Sequence, residues 1–238
     1  MVGVDKIFLY NNGHKIVDSQ FPSGDNKIWG KKRYAEYNTS FSNAEIDFKV
    51  ESTCKKYNNR VVLKNWRYGI EAGPYPASQV TGYKNCVENN KSDWWLFIDI
   101  DEFIISKNFN TIPEFLLNQN TNKYGAFVLG QKIFKQRGTG SVRHILNCNK
   151  SYCKQSNYGF TKTLISYPIV TYKTHQPAPG VGEIKFVNHE DLMYYHYRGH
   201  NKKNINSEQL EKINLPSKDD SMLSFLKKHN LKFNSYED

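Results

Sequence analysis

Asp99, Asp101 and Glu102 close an apolar run in the stretch WWLFIDIDEFI, residues 94–104. Strand residues two apart project to the same side, so Asp99 and Asp101 are expected to point together while Ile100 points away. Carboxylates this close repel each other, and desolvation raises the cost of keeping both ionised. A divalent cation removes that conflict, and oxygen ligands of this kind favour Mg²⁺ or Mn²⁺, often with diphosphate oxygens completing the shell. If the diphosphate is a leaving group, the cation neutralises the charge developing on it and fixes its position. The competing reading has these acids capping a turn or pairing with surface lysines.

Such a pair needs a rigid support. Residues 94–100 are apolar except for Asp99 and do not alternate, the pattern of a strand buried on both faces in a parallel sheet covered by helices. In open α/β sheets ligands bind beyond the carboxyl ends of the strands, where this pair would sit. Upstream, residues 6–10 and 60–66 read as strands. Residues 47–57 and 77–89 read as helices, the second with Val80, Tyr83 and Val87 at helical spacing. Strand, helix and strand in this order give a right-handed crossover and an α/β fold.

Downstream, Thr111 opens a short helix over 111–118 with Pro113 in its first turn. Strand-like pieces follow at 126–134, 160–166, 169–172 and 192–197. Two helices are expected at 207–213 and 221–229, the latter with Met222, Phe225 and Leu226 on one side. With no repeat and no clear linker, residues 1–238 are expected to form a single domain, its core reaching about residue 203 and C-terminal helices filling 204–238.

Of the 238 residues, 38% are hydrophobic and 14% aromatic, enough for a core and against a disordered chain. A formal charge of +10 suits polyanionic partners. The basic residues are scattered in short pairs such as Lys31-Lys32 and Lys202-Lys203, without a long stripe interleaved with aromatics, so no nucleic-acid partner is expected. Cys54, Cys86, Cys148 and Cys153 include no C-x-x-C spacing. Cys148 and Cys153 would close a small loop in an oxidising compartment; otherwise all four are reduced thiols. No signal peptide and no apolar run of membrane-spanning length are present, so the chain as written is expected to be cytoplasmic with no membrane span.

The stretch 94–104 resembles the D-x-D-E-F segment of GT-A glycosyltransferases, in particular glycosyltransferase family 92 and a related family-2-like group. The resemblance extends along about residues 1 to 203, in order: Gly3-Val4-Asp5 with IFLYNN; Gln79 and Cys86 ahead of the acidic motif; Phe134 with Gly138 and Gly140; Lys162-Thr163-Leu164-Ile165 with Pro168 and His175; and His196-Tyr197-Arg198. It implies a GT-A (Rossmann-like) fold, with a mixed, mainly parallel sheet flanked by helices. It also implies a nucleotide-sugar donor, a glycan or glycoprotein acceptor, Mn²⁺ (or Mg²⁺) and transfer with inversion.

Carried over position by position, Asp99 would face the ribose and metal-bound water, and Asp101 would bind the metal directly. His196 would be a second metal or diphosphate contact, and Asn11 and Gln79 would lie near the nucleoside. Inversion needs a general base within reach of the acceptor hydroxyl. Glu183 is named for it, with His175 and Asp191 also possible by position. Glu183 lies in the stretch PAPGVGEIKF, read as a loop of the kind that shapes an acceptor site.

Two departures from the family pattern stand out. The family's preceding strand and helix have no counterpart before Met1, an expected cost to donor binding, and HYRGHNKK differs from the family's H-Y-x-x-K-S, which puts the role of Lys202 in doubt. The alternatives are a truncated, non-catalytic GT-A domain that binds carbohydrate or a partner, and a metal-dependent nuclease or nucleotidyltransferase using the same acids on a phosphodiester.

Overall fold

The structure is a computed structural model that describes residues 3–11, 43–57, 60–66, 78–100, 102–135, 151–152, 161–175 and 177–198. The first unit is a parallel pair, β1 (Ile7–Asn11) and β2 (Val61–Asn65), in register from Ile7 opposite Val61 to Asn11 opposite Asn65. Helix α1 (Asn43–Lys55) lies between them in the chain, as strand–helix–strand spacing predicts. Trp66 N–H extends the pairing by donating to Asn11 O at 2.9 Å. Helix α2 (Ser78–Glu88) packs close to this pair because position 82 has no side chain. A Cβ on Gly82 would lie 3.2 Å from Trp66 Nε1 and 3.6 Å from the Tyr10 ring.

The larger sheet runs β3 (Trp94–Leu96), β7 (Lys162–Ser166), β5 (Tyr124–Lys135), β11 (Met193–Arg198) and β4 (Glu102–Ile105). β6 (Ser151–Tyr152) and β10 (Glu183–Phe186) also pair with β5, while β8 (Ile169–Thr171) and β9 (Ala178–Pro179) form a small separate pair. On one face, helix α3 (Ile112–Leu117) sets Ile112 and Phe115 among Ile104, Phe127, Leu129, Leu164 and Tyr194. Thr111 caps this helix, its Oγ1 accepting from Glu114 N–H at 3.1 Å. On the other face α2 contributes Cys86 and Val87 to a cluster with Trp95, Phe97, Ala126, Ile165 and Ile169. Helices therefore cover both faces of the sheet, as the α/β class requires.

Three expectations need correcting. The sheet is mixed, as expected, but among the described residues antiparallel pairings outnumber parallel ones. β1–β2, β5–β10 and β5–β11 are parallel, whereas β3–β7, β5–β7, β5–β6, β4–β11 and β8–β9 are antiparallel. The apolar run 94–100 is a ladder strand only to Leu96 and stands at one end of the strand order, not at its centre. Ile98 and Ile100 are 40% and 86% exposed, because the chain leaves the ladder there to cross the end of the sheet. The stretch containing Glu183, read as a loop, holds β9 and β10. Glycines at 125 and 182 let these backbones meet: Gly182 has φ +79°, and a Cβ there would fall 2.5 Å from Gly125 N. The expected helices at 207–213 and 221–229, and Cys148 and Cys153, lie outside the described residues. Cys54 and Cys86 are free, buried thiols.

Candidate active site

The apolar row on the α3-covered face turns polar at the same end of each of β4, β5, β7 and β11. By strand alternation Ile104 is followed by Glu102, Leu129 by Gln131, Leu164 by Lys162, and Tyr194 by His196, all of these polar residues being buried. The ladders align them: Lys162 is opposite Leu129, Gln131 opposite Tyr194, and Glu102 opposite His196. This polar row lies in the carboxyl-terminal halves of the parallel strands β5 and β11, the side on which ligands of α/β sheets bind.

Across it runs the β3–β4 connection. β3 and β4 stand at opposite ends of the strand order, so the connection that begins at Phe97 must cross from one edge of the sheet to the other. The acidic residues are laid over the sheet's polar end for that topological reason. The connection turns between Asp99 and Glu102, closed by two bonds. Glu102 N–H donates to Asp99 O at 3.1 Å, and Asp99 N–H donates to Glu102 Oε2 at 2.7 Å.

Lys162 completes this turn from below. Its Nζ donates to Asp99 Oδ2 at 3.1 Å and stands 3.0 Å from Glu102 Oε2. The Lys162 side chain is 0% exposed and that of Glu102 2%, whereas Asp99 keeps 39% of its side chain in solvent. From the α2 side, Gln79 Nε2 donates to Asp99 Oδ1 at 2.6 Å and to Tyr83 Oη at 2.7 Å, and the Tyr83 ring stacks on Phe97 at 4.3 Å. On the far side Gln131 Nε2 contacts His196 Nδ1 at 2.9 Å, with Glu102 Oε1 3.7 Å from the same nitrogen. Gln131 Oε1 is buried without a hydrogen-bond partner among the described residues.

Among the described residues the carboxylate beside Asp99 is Glu102. Asp99 and Glu102 share an internal ammonium, which leaves this set one unit negative. Burial pushes the Glu102 carboxyl above its ordinary range, opposed by the Lys162 charge and the Asp99 N–H. Burial, reinforced by the charges of Asp99 and Glu102, holds the Tyr83 hydroxyl well above the usual tyrosine range.

Gln79, Asp99 and His196, expected in the site, come together through Glu102 and Lys162. Asp101 lies outside the described residues. Asn11 ends β1, buried, with its Nδ2 donating to Asp47 Oδ1 at 2.9 Å. It belongs to the neighbouring parallel pair, whose end meets α2 at Gly82, one turn from Gln79. His175 is tied by its carbonyl to Thr161 and Thr163 Oγ1 at 3.4 and 3.3 Å, on the face of β7 opposite the Lys162 side chain. Glu183 opens β10 opposite Tyr124, at the start of β5, about 23 Å along the strand from Gln131. There it is exposed and pairs with Lys123 at 3.6 Å. Asp191, just before β11, accepts from Asn108 Nδ2 at 2.7 Å, also away from His196. Glu102, Gln131 and Lys162 are the residues that sequence reasoning did not assign a role. The signal was present in part: each is a polar residue two positions from a core residue of its strand, Ile104, Leu129 and Leu164.

The donor types suit a hard divalent cation in part. Asp99 offers a partly exposed carboxylate. The Nδ1 edge of His196 is taken up by Gln131 and Glu102, so a ligand contact would fall to Nε2. Among the described residues no three His, Cys, Asp or Glu side chains converge as a metal site. No described helix is long and apolar enough to cross a membrane.

Fold and site define an α/β domain with a partly exposed acidic turn at one end of its sheet. The sequence pattern of glycosyltransferase family 92 matches residues 49–222, more than half of the chain, and the chain belongs to that family. Comparison with curated proteins gives no match. Family membership makes the chain a glycosyltransferase, working on a sugar donor and a glycan acceptor in general terms.

Proposed function

We propose that the chain transfers a sugar from a nucleotide-sugar donor to a glycan or glycoprotein hydroxyl, with inversion, at the end of the sheet crossed by the acidic turn. The observation that carries this reading is the partly exposed Asp99, held by Gln79 on one oxygen and Lys162 on the other, beside the buried polar row of β4, β5, β7 and β11. The acceptor oxygen forms a bond to the anomeric carbon as the bond to the diphosphate oxygen breaks. The electron pair leaves with the nucleoside diphosphate, and the hydroxyl proton passes to a general base.

Asp101, Asp99 and His196 are the residues that would hold Mn²⁺ or Mg²⁺, which when bound supplies positive charge to the leaving diphosphate. Asp99 and Gln79 orient the donor, with Asn11 on the nucleoside side. The chain's own charge is suited to such a cation. The described carboxylates net one negative unit after Lys162, and ionised Asp101 raises that to two.

Calorimetry with a panel of nucleoside diphosphates tests the reading. Binding is expected with Mn²⁺ and not without it, and is lost in Asp101→Ala and Asp99→Ala. Equal affinity with and without metal overturns it.

A further inference from the structure

A buried ion pair within an apolar sheet face calls for a reason. Removing Lys162 and Glu102 from water costs several kcal/mol per ion, and apolar side chains of similar volume are often as stable or more so. Both are sealed, at 0% and 2% side-chain exposure, so neither is presented to a ligand. What they do touch is the turn. Glu102 Oε2 accepts from Asp99 N–H at 2.7 Å and sits 3.0 Å from Lys162 Nζ, while the same Nζ holds Asp99 Oδ2 at 3.1 Å. Main chain and carboxylate of Asp99 are thus fixed from one buried point. Glu102 Oε1 meanwhile faces His196 Nδ1 at 3.7 Å, so this point also borders the far side of the site.

We propose that the Lys162–Glu102 pair is a positioning device, which presets the Asp99–Glu102 turn and the facing edge of His196 before any ligand arrives. The two act through Asp99 and His196 and are not themselves catalytic residues. This inference rests on the metal-dependent reading above for its ligand, but the preset turn is a property of the metal-free chain. Outer partners of metal ligands commonly govern affinity in this way, by 10–100-fold.

The test compares the wild-type chain with Glu102→Gln, which keeps one oxygen acceptor, and with the double variant Glu102→Leu/Lys162→Met, which replaces the pair by apolar side chains. Mn²⁺ alone is the probe, titrated by its electron paramagnetic resonance signal. Melting temperature and amide hydrogen exchange at Asp99 are measured in metal-free protein. The double variant is expected to melt no lower than the wild type. It should nevertheless bind Mn²⁺ about 10–100-fold more weakly, and exchange the Asp99 amide about tenfold faster. Glu102→Gln keeps one oxygen acceptor but leaves the buried Lys162 ammonium with Asp99 alone, so it should melt below both the wild type and the double variant.

A stable double variant with wild-type Mn²⁺ affinity and wild-type exchange overturns the positioning role. If the wild type itself binds no Mn²⁺, the metal reading falls, and the exchange rate at Asp99 still decides whether the pair holds the turn. A double variant that melts far below the wild type makes the pair a stability element and also overturns the proposal.

Discussion

Glu102 and His196 face each other across the β4–β11 ladder, with Glu102 Oε1 3.7 Å from His196 Nδ1 and Gln131 2.9 Å from that same nitrogen. The ring's inner edge is therefore set by its neighbours. With the Gln131 amide oxygen on Nδ1–H, the ring is the tautomer without a proton on Nε2; with the amide nitrogen there, Nε2 carries the proton. Metal binding requires the first arrangement. Gln131→Leu removes the choice and is expected to weaken Mn²⁺-dependent nucleotide binding by about 10–100-fold, as calorimetry reads it.

Gln79 holds Asp99 from a helix that is otherwise anchored by Cys86 and Val87. Gln79→Ala should leave the fold intact and cost the donor site about 1–2 kcal/mol, a rise in donor KM of about five- to thirtyfold. An unchanged KM would remove Gln79 from the donor site.

Glu183 was the residue expected to act as base, yet it lies at the start of β5 in an exposed pair with Lys123. Exposed pairs contribute at most about 1 kcal/mol, so Glu183→Gln should leave stability and initial transfer rates within about twofold of wild type. A loss of a hundredfold or more would restore Glu183 to the reaction.

Tyr83 supplies the pH dependence. Its folded-state hydroxyl, held by burial well above the ordinary value of about 10, keeps a proton that the unfolded chain gives up. The stability this represents is complete below pH of about 10 and declines as pH climbs beyond it. Tyr83→Phe abolishes that contribution. The variant should be about 1 kcal/mol less stable at pH 8, through loss of the Gln79 bond at 2.7 Å, and the gap should close toward pH 11 in urea unfolding. A gap constant across that range contradicts the buried-hydroxyl account.

Gly125 meets the strand opened by Glu183 backbone to backbone. A Cβ at position 125 would run into the Val181 carbonyl and stand 3.0 Å from Pro179 Cβ. Gly125→Ala is expected to lower stability by about 1–3 kcal/mol, seen as a fall of several degrees in melting temperature.

What could be read from the chain beforehand follows the range of the interactions. Thr111 with Pro113 marked a helix start because a cap is decided within three residues. The β1–α1–β2 unit and α2 were legible from hydrophobic spacing, within a few residues at each boundary. Strand order was not. The apolar run at Trp94 read as a central strand because Phe97 and its neighbours continue the hydrophobicity past the end of the ladder at Leu96. Lys162 escaped notice as a site residue because its partner Asp99 lies 63 positions away and is brought near only by the β3–β7–β5–β11–β4 order. Glu183 was misplaced for the same reason: its neighbours suited a loop, and only pairing with Tyr124 makes it a strand residue at the far end.

The passage from Leu96 to Glu102 joins the two edge strands of the larger sheet through the turn closed between Asp99 and Glu102. A relative shift of the β3 and β4 edges would therefore have to be absorbed at that turn, which makes Asp99 the point where distortion of the sheet and loading of the site would meet.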